Sequence, residues 1–485
     1  MQIPSKGLDK AALFQTLEAY RAGDLTWRDG RTWAYVYDPG EEVEAVVKQA
    51  FTMFLSENAL DPTAFPSLLR LENELVSIAA HHLGGDAAVV GNFTSGGTES
   101  IFLAVKTARD HARHLRPSIT RPQIVVPETA HAAFHKAAHY LGVEVALTPV
   151  DPVSFKADVA AMRAAITDQT VMLVGSAVSY AHCVVDPIVE IAALAQEHGL
   201  LCHVDGCMGG FLLPYFRRAG AAVPDFDFSV PGVTSMSMDY HKYAFAAKGA
   251  SVVLYRDRSL RRHQIYACSQ WTGYTLANAV LQSTRSGGPM AAAWAVLHYV
   301  GDEGYLAIAR DLLAATRALC EGIRGIPELR LLGEPEMNLI AFTSDSVDVF
   351  HLCDEMRARG WFVQPQFSFH RSRENIHLSV NPKSVRWIDA LVTDLRASVA
   401  AARSLPVSPV VGMVQAALAA MGPVSEIDPG LMRQLMGALG IGDGRLPERM
   451  AAVNQVLNAL PPAVRESVLV EYMNDLYTQP AEGEA

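Results

Sequence analysis

The chain has 485 residues, of which 50% are apolar and 19% charged, so it can bury a large core spread over two or three domains, and intrinsic disorder is a poor fit. With 40 basic and 51 acidic side chains the net charge is −11 and no basic stripe is present, which argues against a nucleic-acid partner. No stretch reaches the roughly 18 apolar residues of a membrane span, residues 1–7 lack a signal-peptide core, and six scattered cysteines suit reduced thiols, so a soluble, cytoplasmic protein without a membrane anchor is expected.

Residues 1–70 read as an N-terminal arm, with a helix over 41–55 and turns at Asp61-Pro62 and Phe65-Pro66. From 71 to 305 short apolar runs alternate with amphipathic stretches. Runs at 87–90, 123–126, 143–147, 171–175, 200–204 and 251–255 read as strands, and 100–115, 131–141, 158–166 and 187–198 as helices. This alternation predicts an α/β fold: a mostly parallel central sheet with helices on both faces and ligands at the C-terminal strand ends. Residues 306–401 read as a smaller α+β domain, entered by a long helix over 305–323. It has strands near 330–332, 339–343 and 376–380 and a helix over 347–359. Residues 402–485 read as a helical extension with helices over 413–421, 429–439 and 447–460. Two of these open on proline, whose missing N–H would be unpaired at that position in any case. The last residues, 479–485, are expected to fray.

Three segments carry the chemistry. In Thr94-Ser95-Gly96-Gly97-Thr98-Glu99-Ser100, two glycines permit close backbone approach to a ligand. The helix that follows offers free N–H groups at the positive end of its dipole, and Ser95 and Thr98 add hydroxyls. A phosphate suits that turn, although an ordinary capped helix start has the same composition. In His203-Val204-Asp205-Gly206, Asp205 closes an apolar strand, where a carboxylate can keep a pyridinium nitrogen protonated. It could also cap the next turn, or join His203 and Cys207 around a metal, but no second ligand cluster supports a metal. In the segment 235–243 (SMSMDYHKY) a strand runs into a loop bearing His241 and Lys242. A nucleophilic lysine needs partial burial or a cationic neighbour, and His241 and Lys248 are at hand, whereas a lone loop lysine ordinarily faces solvent.

Phosphate cradle, acid and lysine, each at a strand end, point to pyridoxal 5′-phosphate (PLP), with Lys242 as its Schiff-base residue and no metal. His131, at a helix start, could stack on a flat ring or be held by local hydrogen bonds. Tyr180 and His182 are candidates for acid–base work, or else a packed aromatic and a surface imidazole. Ser176 and Ser237, at strand ends, complete the expected cofactor set.

Residues 94–104 (TSGGTESIFLA), 130–142, 203–212 (HVDGCMGGFL), 232–255 (GVTSMSMDYHKYAFAAKGASVVLY), 284–294 and the tail 412–477 together resemble the sphingosine-1-phosphate lyase family. That family lies within the group II PLP-dependent decarboxylases, which have the fold type I, aspartate aminotransferase-like architecture of the PLP-dependent transferases. The resemblance implies Gly97 and Thr98 at the cofactor phosphate with His241 nearby, His131 over the pyridine ring, Asp205 at its nitrogen and Lys242 in the Schiff base. It also implies a homodimer with active sites at the subunit interface. Tyr37 and Asn58 would sit at the substrate's phosphate end, Lys248 on that phosphate, and Tyr180 would be catalytic. Eukaryotic relatives carry a membrane anchor, and this chain is expected to be similar to the soluble bacterial members.

Two departures bear on the substrate, a small-molecule amine. Where the family typically has Asn-Pro-Leu-His, this chain has Asn58-Ala59-Leu60-Asp61, and a carboxylate there adds repulsion toward a phosphate on the order of a kcal/mol or more. Where Tyr-Ala-Ser-Pro is frequent, it has Leu276-Ala277-Asn278-Ala279, two hydroxyls fewer. The expected activity is carbon–carbon lysis: retro-aldol cleavage of a 3-hydroxy-2-amino compound to an aldehyde and an amine such as phosphoethanolamine. The alternative is an amino-acid decarboxylase, with Arg371 or Arg373 seating the substrate carboxylate.

Overall fold

Seven strands build the central sheet of the computed structural model, which describes residues 3–421, 437 and 447–478. They are β1 (Val90–Thr94), β2 (Gln123–Pro127), β3 (Glu144–Thr148), β4 (Thr170–Ser176), β5 (Leu201–Asp205), β6 (Ser235–Asp239) and β7 (Ser251–Tyr255). Their spatial order is β1-β7-β6-β5-β4-β2-β3, and every pair is parallel except the two made by β7. Strand β4 is buried along its whole length, as a strand covered on both faces must be. Strand β6 alternates Ser and Met yet is also fully buried. Met236 and Met238 fill the core, while Ser235 and Ser237 find partners on β5.

This topology brings the C-terminal ends of β1, β4, β5 and β6 to one rim, so Thr94, Ser176, Asp205 and Asp239 share it. Strand β7 returns between β1 and β6, pairing Ser251 with both Thr94 and Asp239. The α/β reading therefore holds, with shifted boundaries. The first strand lies at Val90–Thr94 rather than 87–90, because Asp86 folds residues 86–89 into a turn: its side chain accepts the Ala88 N–H at 2.9 Å and its carbonyl the Val89 N–H at 3.2 Å. The next helix starts at Gly97 rather than Ser100.

The arm holds more than the helix Glu41–Met53. Helix Lys10–Tyr20 is capped by Asp9 and buries no residue, whereas Pro66–His82 buries Leu68, Leu75, Val76, Ala79 and Ala80. Phe65-Pro66 is thus a helix start rather than a turn, with proline in the first turn, where it is tolerated. Strands β8 (Tyr266–Cys268) and β9 (Leu276–Asn278) pair as a separate antiparallel hairpin.

Helix Gly288–Arg324 leads from the large domain into the small one and breaks at Gly301, whose φ of 65° suits glycine. There follow β10 (Leu329–Leu331), β11 (Leu339–Ser344), helix Val349–Ala358, β12 (Gln364–Gln366), β13 (Asn375–Ser379) and helix Ile388–Ala402. The antiparallel order is β10-β11-β13-β12. Strand β12 was not expected from the sequence: it is short, and Pro365 at its centre is tolerated because it is an edge strand. In the extension, helices Pro409–Met421, Ala451–Ala459 and Pro462–Leu476 enclose a small core of Val414, Val456, Leu460, Val464 and Val468. Asp354 of the small domain caps its second helix, accepting the Met450 and Ala451 N–H groups at 2.9 Å each. The helix expected over 429–439 lies, apart from residue 437, outside the described residues. No described helix is long and apolar enough to cross a membrane.

Candidate active site

A cavity of about 540 Å³ opens at the rim, lined by side chains from both domains. Its floor on one side is the turn after β1. Helix Gly97–Leu115 presents its first N–H groups there, which lack intrahelical acceptors. Glu99, in that first turn, reaches back to accept the Ser95 N–H at 2.6 Å and also takes the Leu281 N–H at 2.7 Å, pinning the turn. Gly97 has no room for a side chain: a Cβ would lie 2.7 Å from Cys207 Sγ and 2.9 Å from Asp239 Oδ2. Ser95, Gly96, Gly97 and Thr98 all line the cavity, a concave site with the polar character a phosphate requires.

The wall beside it comes from β5. Asp205 is 6% exposed, and its Oδ1 accepts the Cys207 N–H at 3.0 Å and the Ser237 hydroxyl at 3.2 Å. Ser237 lies behind Asp205 and outside the cavity lining. The alternative of a metal at His203, Asp205 and Cys207 meets competition from these bonds. His203 Nδ1 is 2.9 Å from Ser235 Oγ, its Nε2 is 3.4 Å from Ser237 Oγ, and the Cys207 thiol donates to Ser237. Burial lowers His203 to about 4 and raises the Cys207 thiol well above its ordinary value.

The lysine loop is held by buried aromatics on either side of it. Tyr240 donates to the Leu75 carbonyl at 2.6 Å, and Tyr243 to the Val380 carbonyl at 3.4 Å. Between them Lys242 enters the cavity with its Nζ 2.9 Å from Asp239 Oδ2. Burial works against the lysine's charge, but Asp239 outweighs it and holds Lys242 above the ordinary lysine value. His241 accepts the Ala250 N–H on Nδ1 at 3.2 Å, which leaves its Nε2 to carry hydrogen, 3.5 Å from Asp239. His131 likewise accepts the Ala133 N–H on Nδ1 at 3.2 Å, the local bond the sequence allowed, and it lines the cavity as well.

Of the substrate-side candidates, Tyr37 and Tyr180 line the cavity, and Lys248 stands beside it with Nζ 4.6 Å from the Tyr37 ring centroid. Partial desolvation at the rim, with the Lys242 charge adding to it, lowers Lys248 to about 8. Tyr180 donates to Gln364 Oε1 at 2.6 Å and stacks on His377. Four expected residues lie elsewhere in this chain. His182 is 1% exposed, stacked on Phe155 and bonded to Ser372, not a surface imidazole, and burial lowers it to about 4. Asp61 is exposed and folded onto its own turn, accepting from the Thr63 N–H and hydroxyl. Asn58 accepts the Leu60 and Arg285 N–H groups, and Asn278 sits on β9. Arg371 and Arg373 are also outside the lining: Arg371 bonds to the Val150 carbonyl, and Arg373 is drawn to Asp345 and Glu374.

Residues 4–345 match the pyridoxal-dependent decarboxylase conserved domain, and 412–475 match the C-terminal putative HTH domain of pyridoxal-dependent enzymes. The chain belongs to the pyridoxal-dependent decarboxylase family. The sphingosine-1-phosphate lyase of Arabidopsis thaliana is 38% identical over 442 residues, 90% of this chain and 79% of that one. Among solved structures, the sphingosine-1-phosphate lyase of Burkholderia pseudomallei has a TM-score of 0.79 at 37% identity, covering 83% of this chain and 93% of that one. The glutamate decarboxylase of Lactobacillus brevis, with a TM-score of 0.74 at 18% identity over 84% of this chain and 96% of that one, shares the fold.

This family member is a PLP-dependent lyase of fold type I with a mostly parallel sheet and a helical C-terminal region, and it acts on small molecules. The donor set fits the cofactor: a turn with no room for a Cβ on Gly97, the Asp205 carboxylate, the Lys242 amine and the buried Ser176 hydroxyl without a partner, all on one cavity. Several lining residues were not singled out in the sequence, Asp239, Tyr35 and Gln364 among them. Asp239 sits inside the quoted lysine segment, where an acid three residues before a buried lysine was the available signal; Tyr35 and Gln364 carried none.

Proposed function

We propose that this lyase cleaves the C2–C3 bond of a 2-amino-3-hydroxy substrate in a retro-aldol reaction, giving an aldehyde and an amine such as phosphoethanolamine. The observation that carries this reading is the makeup of the cavity. A phenol, Tyr180, shares it with Lys242, and among the described residues no arginine lines it to grip the carboxylate of an amino acid. The likeness to sphingosine-1-phosphate lyases supports the same choice.

In this reading Lys242 would bear the cofactor, Asp205 would keep its pyridine nitrogen protonated, and His131 would help hold its ring. Ser95, Gly96, Gly97, Thr98, Ser176 and His241 hold the cofactor's polar groups, with Ser237 steadying Asp205. PLP, when bound, supplies the electron sink for the pair released as the C2–C3 bond breaks. Tyr180 meets the substrate's 3-hydroxyl. Burial holds its phenol above the ordinary value, so Tyr180 stays neutral; with its own hydrogen committed to Gln364 it orients that hydroxyl as a hydrogen-bond acceptor, and the proton the hydroxyl gives up is balanced by the one gained at C2 of the amine product. Lys248 and Tyr37 receive the far, anionic end of the substrate.

The protein works as a cytoplasmic homodimer on this view. Helix Lys10–Tyr20 leaves Phe14 and Tyr20 in water and the β8–β9 hairpin leaves Tyr266, Trp271 and Tyr274, an apolar display that suits a partner surface. All six cysteines are unpaired and five of them buried, as suits a reducing compartment. PLP-loaded protein should release aldehyde from 2-amino-3-hydroxy compounds and no carbon dioxide from a panel of amino acids. Carbon dioxide without aldehyde would replace this reading with decarboxylation.

A further inference from the structure

Asp239 occupies the last position of β6, is 2% exposed, and places Oδ2 2.9 Å from Lys242 Nζ and 3.5 Å from His241 Nε2. Its Oδ1 has no hydrogen-bond partner. Both oxygens lie within 3.0 Å of the point a Cβ on Gly97 would take, so the carboxylate is wedged under the first turn of helix Gly97–Leu115, where N–H dipoles favour negative charge. A carboxylate this deep is costly unless a cation answers it. The titratable groups around the pair include Asp205, Cys207, His131, His241, Lys248, Tyr37 and Tyr180, whose phenol burial keeps neutral. Cys207 and Tyr37 are held neutral, since burial raises both. Asp205 is occupied by Cys207 and Ser237, and Lys248 lies over Tyr37. Lys242 and Asp239 are therefore each other's charge partner. Burial opposes the charge on Asp239, and Lys242 with His241 more than offsets that, keeping the carboxyl below its ordinary value.

We propose that Asp239 is a positioning residue for Lys242: its buried carboxylate fixes the lysine nitrogen in the cavity and sets that nitrogen's charge, a duty separate from that of Asp205. The proposal rests on the reading of Lys242 as the cofactor-bearing lysine. On this proposal two of the cavity's carboxylates serve two nitrogens, Asp205 that of the ring and Asp239 that of the lysine.

The first test is spectroscopic. In the PLP-loaded protein the yellow absorbance reports the proton on the nitrogen that Lys242 shares with the cofactor. Asp239→Asn keeps the side chain's shape and removes its charge. Loss of a neighbouring anion disfavours the protonated form, so the midpoint of the pH titration of the yellow band should fall by about one unit or more. An unchanged midpoint overturns the proposal.

A second measurement needs no cofactor. Lys242→Met leaves Asp239 buried with only His241, 3.5 Å away, to answer its charge, so its folded-state carboxyl should rise above its unfolded value. The penalty therefore grows as pH rises through the carboxyl range. The melting-temperature deficit should be larger near about pH 8 than near about pH 4, and it should vanish when Asp239→Asn is added. Equal deficits at both pH values, with an additive double variant, overturn the proposal even if Asp239→Asn takes up no cofactor. A yellow band that survives in Lys242→Met would instead overturn the assignment of Lys242, and the melting result would still decide the pairing.

Discussion

Gly97→Ala probes how tightly the phosphate turn and the lysine loop are packed together. The added Cβ would lie 2.7 Å from Cys207 Sγ and 2.9 and 3.0 Å from the two oxygens of Asp239, inside the roughly 3.5–4.0 Å of comfortable contact. None of these atoms can retreat freely. Cys207 is bound through its N–H to Asp205 and through its thiol to Ser237, and Asp239 belongs to β6 and pairs with Lys242. Relief must push the helix start outward into the phosphate seat or drag Lys242 with its partner. Overpacking of this kind costs about 1–3 kcal/mol. Falling on cofactor binding, that is about 5- to 150-fold in Kd. The assay is a PLP titration of the cofactor-free protein followed by yellow absorbance, with a separate melting curve to show how much of the cost falls on folding. Parental affinity together with parental melting would refute the reasoning, because it would mean the backbone yields without disturbing the seat.

Other outcomes follow from the same geometry. Tyr180→Phe should lower kcat by about 100-fold or more while leaving the cofactor's absorbance intact, as steady-state kinetics and a spectrum will show; an unchanged kcat removes Tyr180 from the chemistry. Asp61→Asn should leave the midpoint of a denaturant melt almost unchanged, because the side chain is exposed and serves only its own turn; a large shift would show a contact beyond that turn. Buried His182 and His203 are lowered to about 4 and His377 to about 3, so the unfolded chain binds more protons than the folded one below about pH 6.5. Melting temperature should therefore fall on acidification from that point toward pH 4. His182→Phe, which keeps the stack on Phe155, should lose part of that slope; an identical slope would mean His182 is protonated in the fold.

The cofactor half of the site was readable because each of its parts is local. A glycine turn before a helix, an acid at the end of an apolar run and a lysine just past another strand are all short-range patterns. Strand-end geometry then gathers them without any knowledge of side-chain packing. The substrate half was harder to read. Tyr180 and His182 stand two residues apart in one loop, yet the first faces the cavity and the second packs against Phe155. Gln364 comes from an edge strand of the other domain, and nothing near it in sequence announces that it will meet Tyr180. Asp239 was visible as a residue but not as a partner. Outside a helix, a spacing of three does not say that two side chains touch, and here the contact depends on how the chain turns after β6.

The direction of β7 explains why the lysine loop comes to lie against the phosphate turn. A parallel strand between β1 and β6 would need a long crossover, whereas an antiparallel one needs only a short loop, and that loop carries Lys242. Strand β7 then fixes the alignment of its two neighbours. Thr94 Oγ1 and Ser100 Oγ are 2.6 Å apart, Ser100 Oγ and Ser251 Oγ 2.8 Å apart, and Ser251 donates onward to the Met238 carbonyl at 3.1 Å. These groups are buried, so each must be satisfied within the protein. A slip of one residue in β7 would turn Ser251 to the opposite face and strand the hydroxyls of Thr94 and Ser100. The hydroxyl chain thus locks in one register the strand ending at the phosphate turn and the strand ending at Asp239. The distance between the candidate phosphate seat and the lysine is set by sheet pairing as well as by the loops that carry them.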